Sequence, residues 1–76
     1  MNAREIALNS FASGMVGRLH VSASDRDVIA YIRSRLKPEA RRDPEARADR
    51  KALYRAGLKA HAKNRDLYRK VMGGLI

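Results

Sequence analysis

Apolar residues recur along this chain at intervals of three and four, in runs separated by polar or glycine-containing stretches. That period belongs to helices that bury one face. The first run spans about residues 3–12, where Leu8, Phe11 and Met15 share a face with Ala7 beside them, and Ser13-Gly14 offers a stop. The second spans 25–36 and has the clearest ends. Ser24 is a good N-cap, Asp27 stands three positions later, and Pro38 follows the last turn. Val28, Ile29, Ile32 and Leu36 form its apolar stripe.

A third helix is expected over 44–63. Asp43 is placed to cap it and Pro44 to occupy its first position. Its inner face is narrow and made of small residues, Ala46, Leu53, Gly57 and Ala60, which suit the close approach of another helix. A fourth is expected over 65–72, with Asn64 as its cap and Gly73-Gly74 as its end. The third and fourth could equally be one bent helix. Residues 16–23 alternate like a strand, but nothing pairs with them, so a loop is expected. Residues 38–43, in which the string PEAR first occurs before returning at 44–47, read as a linker.

The expected fold is therefore all-α, a small domain of three to four helices within residues 1–76. Its core would comprise Ile6, Leu8, Phe11, Met15, Val28, Ile29, Ile32, Leu36, Leu53, Tyr54, Leu58, Leu67, Tyr68, Val71 and Met72. No run approaches the roughly 20 apolar residues of a membrane span, and the first residues lack the apolar centre of a signal peptide. The absence of cysteine excludes disulfides and thiolate chemistry. A cytoplasmic protein with no membrane partner is expected.

Charge then narrows the function. Lys and Arg number 17 against 8 Asp and Glu, a net charge of +9. Arg47, Lys51, Arg55, Lys59 and Lys63 recur every fourth residue, and no acid lies between Arg50 and Arg65. On a helix this is a ladder of cations about 24 Å long. It can follow a phosphate backbone or meet the acidic surface of a protein; it can also be no more than a solvated face. Arg65, Arg69 and Lys70 would extend it. A helix-turn-helix with its turn at Lys63-Asn64 would present those last three residues, but on a segment of only about eight residues, and the sparse aromatic residues argue against a single-strand binder that stacks on bases.

Chemistry offers less. His20 lies near Ser22, Ser24 and Asp25, a pattern better read as turn and cap chemistry than as a hydrolase. His61 is expected to be at least half-buried and bonded to a carbonyl, since no acid or histidine follows it at i+4 to share a metal. No phosphate-binding glycine loop is present. We expect no catalytic activity, no metal and no cofactor.

The C-terminal run ALYRAGLKAHAKNRDLYRKVMGG carries Tyr54, Leu58, His61, Asn64, Leu67, Tyr68, Val71, Met72 and Gly73. In this arrangement it resembles a family of small uncharacterised helical proteins of temperate bacteriophages and prophages. The runs REIALNSFASG and SDRDVIAYIRSRL fit the same pattern. The resemblance implies a phage accessory protein acting in the cytoplasm of a host bacterium, and its motifs fit packing and capping. The leading expectation is a regulatory binder that contacts nucleic acid through the basic helical face. The alternative is an inhibitor or modulator of a host nucleic-acid machine, such as RNA polymerase, a nuclease or a CRISPR effector, with Tyr31, Leu75 and Ile76 as anchors. A homodimer closing over the small face of the third helix is a further possibility.

Overall fold

The computed structural model describes residues 2–75 and is all-α. Helix α1 runs over Ala3–Val16, α2 over Asp25–Arg35, α3 over Pro38–Arg42 and α4 over Arg47–Leu75, with a 3-10 turn at Pro44–Ala46. No helix of the described residues is long and apolar enough to cross a membrane.

Asn2 caps α1, its side-chain oxygen accepting from the Glu5 amide at 2.9 Å. The helix does not stop at Ser13-Gly14 but continues to Val16 and closes at Gly17. The extra turn completes the inner face, because Ala12, Met15 and Val16 are the residues of α1 that are buried. Gly14 is exposed, and the burial of Met15 and Val16 outweighs its cost of about 1 kcal/mol in a helix. The loop expected over 16–23 lies at 17–24, since Val16 belongs to α1. In α2 the capping box is complete: the Ser24 hydroxyl accepts from the Asp27 amide at 3.1 Å, and the Asp27 carboxylate accepts from the Ser24 amide at 3.2 Å.

Further boundaries differ from the sequence reading. Residues 38–43 are not an open linker, since Pro38 begins a short helix and Pro44 begins the 3-10 turn that leads into α4. Each PEAR string thus starts one helical turn, where proline's fixed φ and missing N–H are favourable. Asp43 caps as expected, accepting from the Glu45 amide at 2.9 Å, but what it caps is the 3-10 turn. Arg50 secures this corner by donating to the carbonyls of Ala40 and Asp43. Second, the segments expected at 44–63 and 65–72, as two helices or as one bent helix, form one continuous helix of 29 residues, so no turn exists at Lys63-Asn64, and Gly73-Gly74 lie within the helix and do not end it. That removes the helix-turn-helix considered there.

Helices α1 and α2 lie on the same side of α4. The contact of Arg4 with Asp49 and the approach of Val16 to Gly57 make α1 parallel to α4. The approach of Ile32 to Gly57 and of Asp25 to Arg65 makes α2 antiparallel. Gly57 is the point where the three helices meet. A Cβ there would stand 2.2 Å from Ile32 Cδ1, so only glycine lets them come this close. The small face read from the sequence is therefore filled by the chain's own helices.

The core is correspondingly thin: Ala12, Met15, Val16, Val28, Ile32 and Leu53, with Gly57 and His61. Leu8, Ile29, Leu36, Tyr54 and Leu58 are half-buried. Six residues expected in the core are exposed instead: Ile6, Phe11, Leu67, Tyr68, Val71 and Met72. A single layer of two helices on α4 has only one interface to offer. Ile6 and Phe11 fall outside the inner arc of α1, and the other four lie on the part of α4 at and beyond the end of that layer.

Candidate nucleic-acid interface

The layer on α4 decides which of its faces is free. Leu53, Gly57 and His61 are buried, and they too are spaced four apart. The residue two positions along a helix is turned by about 200°. The row Arg47, Lys51, Arg55, Lys59 and Lys63 is offset from the buried row by two residues, so it runs along the opposite side. Both rows drift together, by about 40° a step. All five cations are exposed. The only ion pairs among the described residues are Arg4–Asp49 and Arg65–Asp25, so none of the five is neutralised. Arg55 Nε donates to the Lys51 carbonyl at 3.4 Å, which lays that side chain back along the helix.

Because α4 is unbroken, the track gains a rung. Lys70 lies seven residues beyond Lys63, within about 20° of it around the helix, and it is exposed. From Arg47 to Lys70 the cationic face measures about 35 Å. Arg69 is also exposed and stands on the same half of the helix. At the other end Glu45 lines the shallow groove that holds Arg47, Lys51 and Arg55, so the positive field is weakest at the start of α4.

Arg65 does not belong to this face. It is half-buried, its guanidinium donates to His61 Nδ1 at 3.2 Å, and it lies 3.9 Å from the Asp25 carboxylate at the start of α2. Its position explains this, since Arg65 continues the buried row 53, 57, 61. Its charge holds the fold together and is not presented to a partner. Of the eight expected binding residues, seven form one exposed surface and Arg65 is withdrawn from it.

The histidines have structural roles. His61 is fully buried and its Nε2–H donates to the His20 carbonyl at 3.1 Å, as the sequence reading expected. A carbonyl only accepts and an arginine only donates. The two bonds therefore fix the tautomer with its proton on Nε2. His20 Nδ1 accepts from the Ser22 amide at 3.1 Å and lies 2.7 Å from the Ser22 hydroxyl, closing the turn before α2. Its ring meets Tyr68 edge-on, with centroids 6.4 Å apart. Among the described residues no cluster of three or more His, Asp or Glu could hold a metal ion. Tyr31, expected as an anchor, is half-buried in a groove between α1 and α2 with Phe11, Met15, Arg18 and Arg35. The other two anchors, Ile76 and the side chain of Leu75, lie outside the described residues.

No protein-family model matches the chain, and no curated protein or solved structure matches it significantly.

Proposed function

We propose that this protein is a small regulatory binder that lays the outer face of α4 along the phosphates of a nucleic acid, as an accessory protein of a phage acting in the cytoplasm of its host. The observation that carries the reading is the cation track: Arg47, Lys51, Arg55, Lys59, Lys63 and Lys70 on one unbroken helix, exposed and without acidic partners. The track's length of about 35 Å matches about one turn of duplex. With α1 and α2 behind it, this face is exposed to that approach, and only Pro44 and Glu45 stand beside it, at the end that carries Arg47, Lys51 and Arg55. The contacts are to phosphate, so binding is expected to be insensitive to sequence. No catalytic step and no cofactor enter this reading.

Anisotropy titrations with random duplex DNA and with single-stranded RNA test it. Six neutralised phosphates, one for each cation of the track, give a slope of log K against log salt of about −5.4 on duplex. Replacing Lys51, Arg55 and Lys59 by glutamine should weaken binding to every sequence alike and reduce that slope by about 2.7. An affinity unchanged in the triple variant would overturn the reading. It would leave the track to the acidic surface of a host nucleic-acid machine, the second reading that an exposed cation row supports.

A further inference from the structure

The C-terminal third of α4 carries an apolar face that the fold leaves uncovered. Leu67, Tyr68, Val71 and Met72 are between 40% and 63% exposed. On the helix they fill an arc of about 140°. This arc is in line with the row Leu53, Gly57, His61, so it is the same face that receives α1 and α2 further back. Helix α1 has ended at Val16 and α2 begins only at Asp25, whose partner is Arg65. Beyond Tyr68, α4 projects with no helix beside it. The result is a step, one helix layer deep, whose floor is the apolar arc and whose wall is the loop 17–24.

The step selects what fits it. A flat surface, including a bilayer, cannot reach the floor, because the α1–α2 layer stands on the same side of α4. A helix can, by continuing that layer. Charge then selects the kind of helix. Lys63 and Lys70 flank the arc on one edge and Arg69 on the other, all three exposed, while Asp66 lies on the far side. In a two-fold pair of α4 ends, each edge would meet the same edge of the other copy, setting cation against cation. A second copy is therefore disfavoured.

We infer that this step is a docking site for a helix of another protein, apolar along its seam and edged with Asp or Glu, seated beside the end of α4. The site shares only Lys63 and Lys70 with the phosphate track, and it stands whether or not that reading holds.

A synthetic amphipathic peptide of about three heptads, with Leu at a and d and Glu at e and g, is a direct probe. The full chain should bind it, and the counterpart with Lys at e and g should bind at least about tenfold more weakly. Val71→Ser with Met72→Ser should weaken the Glu peptide about tenfold or more, and both residues are exposed, so the core is untouched. Replacing Lys51, Arg55 and Lys59 by glutamine should change it by less than about threefold, since those cations lie on the opposite face. The inference is overturned if the Glu peptide does not bind, if the serine variant binds it equally well, or if the triple glutamine variant loses it. It is also overturned by a dimer in sedimentation that the serine variant dissociates, or by serine-sensitive binding to phosphatidylcholine–phosphatidylglycerol vesicles.

Discussion

His61 is a polar side chain in an apolar core, and both of its ring nitrogens are used. Through Nε2 it holds the His20 carbonyl and so the loop between α1 and α2; through Nδ1 it accepts from Arg65. Truncating it to alanine leaves a cavity and an unpaired carbonyl, and should cost about 2–4 kcal/mol in urea unfolding. His61→Gln should recover part of that, since an amide N–H can still reach the carbonyl. Gly57 makes the opposite kind of demand. Gly57→Ala gains about 1 kcal/mol of helix propensity but sets a methyl against Ile32 Cδ1, and Ile32 is fully buried. Overpacking costs about 1–3 kcal/mol, so a net loss is expected. Ile32→Val removes the offending atom. A double-mutant cycle should therefore show the pair more stable than the two single losses added together. Both residues were legible in the sequence, one as a histidine without ligand spacing and the other as a small residue on an inner face. Val16 was not, because reading Ser13-Gly14 as a stop removed it from its helix.

At the scale of the element, sequence signals served well where a cap is built from side chains and failed where tertiary packing overrode them. Ser24 and Asp27 form the capping box that their spacing announces, and Ser24→Ala should cost about 1 kcal/mol. Asn64 carries an equally good capping side chain, yet it sits inside α4. The contacts of Gly57 with Val16 and Ile32, and those of His61 with His20 and of Arg65 with Asp25, lie on both sides of any break there. A kink at Asn64 would pull the row 53, 57, 61, 65 out of line and lose some of them. The two readings of Asn64 predict opposite signs. A cap would lose about 1 kcal/mol on Asn64→Ala, whereas an interior position gains a few tenths of a kcal/mol from alanine's higher propensity. The continuous helix predicts the gain, read as a raised urea midpoint. Gly73 and Gly74 are helical with open space around them, so alanine at either should likewise stabilise the last turn of α4, seen as increased helicity by circular dichroism.

Across the whole molecule, one arrangement ties the cation track to the marginal size of the core. The Cα atoms span 49 × 26 × 14 Å, a slab with α4 along its length and a single layer against it. The ladder of Arg47, Lys51, Arg55, Lys59 and Lys63 could be read directly from the sequence, because a four-residue charge period needs no tertiary knowledge. Which side the body would cover, and that Arg65 would be drawn into it, depended on where α1 and α2 pack, and no local pattern encodes that. The track works against the fold that displays it. Its four consecutive like-charge pairs cost about 0.2–0.5 kcal/mol each, in a domain whose core supplies only about 3–5 kcal/mol. The triple glutamine variant at Lys51, Arg55 and Lys59 breaks all four pairs while keeping similar helix propensity. It should be more stable than the parent by about 1–2 kcal/mol even as it loses affinity for nucleic acid. Salt should act on the parent in the same two directions, raising its melting temperature by screening the ladder while releasing it from nucleic acid. If the charges served only solubility, nothing would couple these effects. A triple variant that gains stability and keeps its full affinity for duplex DNA would show that the ladder is not the contact.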